Sequence, residues 1–327
     1  MPITRRAALV GSAAAVAALT VPMARHVRAA APASGVQGAG YYRFRIGSFE
    51  LTAINDGVWD RPLDDKLIRN APLGDVRKAL ADVYLPTGTI PIPFTALIVN
   101  AGSKLVMLDS GTGGQFAKFA PRSGTFSANL AAASIDPKAI DTIAVSHFHP
   151  DHINGIRDKN GKRMFPNAEI MVPAAEWVFW MDDAKMSAAA PPFQGQFRNS
   201  RRIFADIAKD VTRFAPEREI APGIVAVAAY GHTPGHCAFM VASENKSLLV
   251  LGDTASNPWV FVRNPSWQGR FDIDGGMAAK TRRRLLDRAS ADRMLVQGYH
   301  FPFPASGYIA KTAKGYDFVP AMWQPTL

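Results

Sequence analysis

The chain has 327 residues, 48% hydrophobic and 20% charged, with a single cysteine and a formal net charge of +10. That composition excludes a disordered or collagen-like chain, and the lone Cys237 excludes an internal disulfide framework. There is ample apolar material for one large core.

The first 33 residues stand apart. Thr4-Arg5-Arg6 leads into an Ala-rich apolar run from Ala7 to Met23, and mostly small residues occupy Ala29 to Ser34. A charged start, apolar middle and small-residue end describe a secretory signal peptide over residues 1–33, with cleavage after Ala31 or Ala33. The paired arginines point to the twin-arginine route, although Ala8 stands where that signal usually has Phe. The apolar run falls short of the roughly 20 residues that span a bilayer and is broken by Pro22, so no stable membrane anchor is expected after cleavage. The expected location is periplasmic or secreted. Without this segment the charge drops to +6, because it carries four arginines and no acid. A moderately basic chain of that kind is not a nucleic-acid binder by composition. Arg282-Arg283-Arg284 reads as the solvated face of a helix.

Residues 34–327 read as one domain of short strands alternating with fewer helices. Tyr42–Phe49 and Leu51–Asn55 form a hairpin about Gly47-Ser48, and Phe94–Asn100 with Lys104–Leu108 forms a second. Helix Ser127–Ala133 and strand Thr142–Val145 follow, then strand Glu169–Val172 and helices Ala174–Met181 and Phe197–Ile207. Strands Ile224–Ala228, Ala238–Ala242 and Leu248–Leu251 open a second half, which continues with helix Met277–Ala289 and strand Met294–Gln297. Two successive β-then-α halves imply an α/β (α+β) chain folded as a four-layer αββα sandwich, with chemistry on loops at strand ends.

Six of the seven histidines lie beyond residue 33, all in metal-like settings. The first is Ser146-His147-Phe148-His149-Pro150-Asp151-His152. Two apart on an extended backbone, His147 and His149 project to one side. Asp151 and His152 come from the turn that Pro150 favours and can face a second ion. Imidazole and carboxylate donors together suit zinc and similar ions. The second setting is Gly231-His232-Thr233-Pro234-Gly235-His236. There His236 opens the next strand with its ring free to turn inward, and His232 is expected to be a hydrogen-bonding partner within the loop. The third is Gly252-Asp253, a carboxylate ending an apolar strand, with two oxygens able to bridge two ions. The fourth is His300, directly after another strand. Cys237 adjoins His236, but strand alternation sends it to the opposite face as a buried thiol.

H-x-H-x-D-H, then G-H-T-P-G-H, then an Asp ending a strand and a late His together resemble the metallo-β-lactamase superfamily. Leu108-Asp109-Ser110-Gly111 extends the likeness. Tyr41-Tyr42-Arg43, Gly47 to Ala53 and Lys314 to Pro320 look like the methyl parathion hydrolase and lactonase-like branch. The resemblance implies the metallo-β-lactamase fold and two divalent metal ions, zinc by expectation. His147, His149 and His236 would hold one, Asp151, His152 and His300 the other, and Asp253 would bridge them. Asp109 would orient a ligand histidine from behind. Asp151 and Asp253 would be catalytic, Asp151 as a proton shuttle. By the same resemblance Phe119, Trp180 and Phe271 would touch substrate.

The implied activity of residues 34–327 is metal-dependent hydrolysis of a small ester or lactone, or a phosphotriester, by a water nucleophile shared between the ions. The partners expected are a small neutral or aromatic substrate and a homodimer mate, with no nucleic acid. Two alternatives share the fold: a di-iron redox protein and a β-lactamase-like amide hydrolase. The signal segment predicts a native protein beginning near Pro32 to Ser34. N-terminal sequencing from the native host checks this, and an intact Met1 would refute it.

Overall fold

The computed structural model describes residues 33–327. Apart from Ala33, the expected signal segment lies outside them. The unit from Ala39 to Leu327 is compact and is built on two sheets. The first contains β1 (Tyr41–Ile46), β2 (Phe49–Pro62), β3 (Thr89–Asn100), β4 (Leu105–Leu108), β5 (Arg122–Ser123), β6 (Thr142–Ala144), β7 (Glu169–Pro173) and β8 (Thr212–Phe214). Their order is β1-β2-β3-β4-β6-β7-β8, with β5 added to β2. The second contains β9 (Glu219–Ala221), β10 (Ile224–Ala228), β11 (Cys237–Ser243), β12 (Lys246–Val250), β13 (Leu295–Gln297), β14 (Ser306–Lys311) and β15 (Tyr316–Pro320), ordered β15 through β9.

Strand alternation sorts the apolar residues into layers. Leu97 and Val99 of β3 join Val106 and Leu108 of β4 in a buried cluster with Cys237, Phe239 and Val241 of β11 and Leu248 and Val250 of β12. This is the seam between the sheets, and it holds Cys237 as a structural thiol. The intervening residues, Phe94, Ala96, Ile98, Met107 and Leu249, belong to a second cluster that includes helical side chains. The helices are α1 (Leu73–Ala81), α2 (Phe126–Ala132), α3 (Pro150–Ile153), α4 (Ala174–Trp180), α5 (Asp183–Ala188), α6 (Pro191–Phe204) and α7 (Gly275–Ala291). Two sheets inside and helices outside make the expected mixed α/β sandwich.

Two departures from the sequence reading bear on the site. Strand β2 does not stop at Asn55: the register shifts between Asn55 and Val58, and pairing with β3 resumes as far as Pro62. Gly57 makes this bulge possible, with φ of 92° and no room for a Cβ, which would lie 2.0 Å from the Arg122 carbonyl oxygen. Strand β3 likewise begins at Thr89, through Pro91 and Pro93. Proline is tolerated there because β4 pairs only with Leu97–Asn100, leaving the start of β3 with β2 as its ladder partner. Extending both strands carries Trp59 and Ile92 to the rim of the cavity described next.

Candidate metal centre

Most donors stand at strand ends or just beyond them. Asp109 follows β4, His147 and His149 follow β6, His232 follows β10, Asp253 follows β12 and His300 follows β13. Their side chains converge into two groups of potential metal donors. His147, His149, His232 and Asp253 form one; Asp151, His152 and His300 form the other, and within each group the donor atoms lie within 4.8 Å of one another. Asp253 reaches both. Its Oδ2 is 3.2 Å from His232 Nε2, and its Oδ1 is 3.3 Å from His152 Nε2 and 3.1 Å from His300 Nε2.

Each ring is oriented from behind. His300 Nδ1 donates to the Pro93 carbonyl at 2.7 Å, which leaves Nε2 as a lone-pair donor facing Asp253. His152 Nδ1 lies 2.8 Å from Asp109 Oδ2, whose carboxylate also accepts from the Ser146 N–H at 2.7 Å and the Ser146 hydroxyl at 2.8 Å. Asp109 sits at a left-handed φ of 61°, a conformation that Asp tolerates better than most residues. Those bonds offset its cost.

The second histidine motif requires a correction. His236, expected as the ligand, is turned away: its Nδ1 bonds the Ala229 carbonyl at 2.8 Å, and its Nε2 accepts the Asp253 N–H at 3.0 Å. Both nitrogens are thus spent on the backbone. His232, expected as a loop partner, is the one in the donor group. Its Nε2 faces His149 Nδ1 at 2.9 Å, and its Nδ1 lies 2.9 Å from Asp272 Oδ1. Asp272 is the residue sequence reasoning missed here. It also accepts from the Gly269 N–H at 2.8 Å and lies 3.6 Å from Arg282. Arg282 is not on a solvated face: it is 1% exposed, donates to the carbonyls of Thr254 and Trp267 at 2.7 Å, and lies over the Phe261 ring. It therefore braces both Asp272 and the turn that carries Asp253.

Burial makes these groups electrostatically extreme. Burial and the neighbouring His232 push the His149 ring down to about 3. Burial opposes charge on His232 as well, but Asp253 and Asp272 outweigh it and hold that ring at about 9. Asp253 resists its own desolvation because His300, His152 and His232 surround it, and its carboxyl stays well below the usual range. Meanwhile His147 Nε2, His152 Nε2 and Asp253 Oδ1 are buried with no hydrogen-bond partner. Buried polar atoms left without a hydrogen bond cost about 1–3 kcal/mol each. A divalent cation would satisfy them together, and nitrogen and carboxylate donors are those that zinc takes.

Beside the donors opens a cavity of about 190 Å³, lined by Trp59, Ile92, Phe94, Phe116, Phe119, Phe271, Gln196 and Ser256, with His149, Asp151, Asp253 and His300 also contributing. Phe119 and Phe271 are 49% and 36% exposed, so they form its mouth. Trp180 does not reach it. That side chain is fully buried among Phe179, Phe193 and Phe197 and donates from Nε1 to Glu176 at 2.8 Å. Trp59 lines the cavity where Trp180 does not, edge-on to Phe119 at 5.3 Å. A strand that seemed to end at Asn55 concealed it.

The sequence model of the metallo-beta-lactamase superfamily matches residues 92–296, which hold every donor except His300. The chain belongs to the metallo-β-lactamase superfamily. Probable metallo-hydrolases of Mycobacterium bovis and Mycobacterium tuberculosis are each 30% identical to this superfamily member over 210 residues, 56% of the chain. The chain spans 62% of the length of these curated relatives. Among solved structures, the hydrolase AbOPH of the beta lactamase superfamily superposes with a TM-score of 0.81 at 27% identity, covering 88% of this chain and all of that one. The dizinc quorum-quenching lactonase AidC, solved with the product N-hexanoyl-L-homoserine, has the same TM-score at 24% identity, covering 87% and 98%, a likeness of fold.

The corrected donor set yields a direct test. His232→Ala should strip most bound metal at gel filtration. His236→Ala should keep metal measurably bound while lowering stability by about 1–3 kcal/mol through the orphaned Asp253 N–H. Asp272→Asn should weaken metal binding about 10–100-fold. Metal stoichiometry and thermal melting of the three variants decide, and equal metal loss in His232→Ala and His236→Ala would refute the correction. A second expectation follows from His232, whose raised value keeps it protonated in metal-free protein at pH 7.5. Metal binding must then expel that proton, so affinity falls as pH falls. Titration calorimetry in buffers of different ionisation enthalpy measures the release.

Proposed function

We propose that the protein is a binuclear metallo-hydrolase of small neutral esters and lactones, with phosphotriesters as a second substrate class. The observation that carries this reading is the cavity: its floor is made by donors of both groups, and its walls are aromatic and aliphatic. In this reading His147, His149 and His232 hold one ion, Asp151, His152 and His300 the other, and Asp253 contacts both, with zinc the metal that suits the set. Ions bound there would supply a nucleophile from water near neutral pH and would polarise the carbonyl or phosphoryl oxygen.

The chain's own residues do the rest. Asp151 is 16% exposed at its side chain and reaches the cavity, placing a carboxylate where it can hold a proton and return it to a leaving oxygen. Tyr299 fixes the backbone of that residue, its hydroxyl donating to the Asp151 carbonyl at 2.6 Å. Trp59, Phe119 and Phe271 take an aryl or acyl group and exclude water. Among the described residues no Lys or Arg lines the cavity, so apart from the proposed ions themselves an anionic substrate would find no cationic partner there. That disfavours nucleic acid, and it disfavours β-lactams, which carry a carboxylate. AidC was solved with a homoserine product, which makes lactones the first substrates to try. On the sequence signals of the first 33 residues, the enzyme works outside the cytoplasm.

A panel of aryl esters, lactones, phosphotriesters, phosphodiesters and β-lactams on zinc-loaded protein tests the proposal. Turnover should favour the neutral substrates, and preference for the anionic ones would overturn it. Phe119→Ala should raise KM for an aryl ester roughly 3- to 10-fold with kcat little changed, since loss of one aromatic contact is worth about 0.5–1.5 kcal/mol of binding.

A further inference from the structure

We infer that Glu176 is a positioning residue, a buried clamp that holds the two histidine loops at the separation metal binding needs. It rests on the proposal that these loops bind metal, but on none of the residues assigned as ligands. Glu176 lies in the first turn of α4 and is fully buried. Its Oε2 accepts the Phe148 N–H at 2.9 Å, and Phe148 stands between His147 and His149. Its Oε1 accepts the Gly235 N–H at 2.7 Å, from the loop that carries His232. One carboxylate thus joins backbone groups that are distant in sequence, in loops that follow strands of opposite sheets. The Trp180 indole N–H, also on Oε2 at 2.8 Å, fixes its direction.

Packing supports the same role. A Cβ at Gly235 would lie 2.4 Å from the Glu176 nitrogen and 2.9 Å from the Ala175 Cβ, so the loop is pressed against the start of α4 as closely as backbone allows. Three N–H donors converge on the two oxygens, and an ionised carboxylate can accept them all. A glutamine of the same shape cannot: its amide nitrogen must face either Gly235 or Phe148 and Trp180 as a second donor. Releasing one loop lets His232 drift relative to His147 and His149.

The test is Glu176→Gln, read by competition with a chromophoric zinc chelator and by the visible spectrum of the cobalt-substituted protein. The expected result is about 10-fold weaker metal binding, at the lower end of the losses seen when outer supports of metal sites are removed, with an altered cobalt spectrum. A merely structural role would lower the melting temperature of metal-free protein and leave affinity and spectrum as in the wild type, which would overturn the inference. Should Glu176→Gln fail to fold, amide hydrogen exchange on metal-free wild-type protein decides. The Phe148 and Gly235 amides should open together, and independent exchange refutes the clamp. Failure of the wild type to bind zinc would instead refute the metal reading, and the exchange result would still stand on its own.

Discussion

Asp253 is where the two halves of the molecule meet. Its carboxylate is buried between His232 on one side and His152 and His300 on the other, with Oδ1 close to two rings but hydrogen-bonded to neither. Its own N–H is held by His236. A carboxylate so deeply desolvated is tolerable only if cationic charge stands close to both oxygens. That requirement sets the placement of everything around it. The loops after β6, β10 and β13 must each deliver a ring to within about 3 Å, and the outer bonds from Asp109, Asp272 and the Pro93 carbonyl fix which nitrogen each ring presents.

The strands that frame the site were readable because their apolar alternation is local. Strand β10 was expected over the residues it occupies, and β4, β6, β11 and α4 differ from expectation by a residue or two at their ends. The misreadings share a cause. The expected strand stops before Asp56-Gly57, where the chain forms a bulge, because β3 lies alongside to resume the pairing. The expected strand begins only after Pro91 and Pro93, yet the strand runs through both, because β4 is too short to require their missing N–H groups. In both cases the deciding fact is the presence or absence of a neighbour brought there by the fold.

The same distinction separates the parts of the site. The first motif was legible because its donors are adjacent in sequence. Between His232 and His236 the expectation chose His236, because each follows a glycine in one short loop and nothing local to that loop marks His232 as the donor. What distinguishes them is the Asp253 N–H, contributed from 17 residues away, and the Asp272 carboxylate behind His232. Glu176, Asp272 and Arg282 carry charges that sequence patterning assigns to solvent. Each is buried because the groups it bonds arrive from other elements. Trp180 makes the converse point: an aromatic residue beside the motif went to the core because its indole N–H found Glu176 there.

The charge balance ties these residues to one another. Asp151 and Asp253 touch the donor space directly, and Asp109 and Asp272 stand behind His152 and His232. Four carboxylates facing one another through imidazole rings make a strongly negative field, and two divalent ions, as proposed, would neutralise it. Without metal the same field must be met by protons, and His152, His232 and His300 are all raised above the usual histidine range despite burial. Burial and the neighbouring imidazoles push His147, His149 and His236 down, even though Asp253 opposes the shift in all three. Protons and metal therefore compete for one set of positions that the outer carboxylates hold ready for either. The outer carboxylates thus do more than aim the rings. They determine how much charge the site must take up, and so why it is built to be filled.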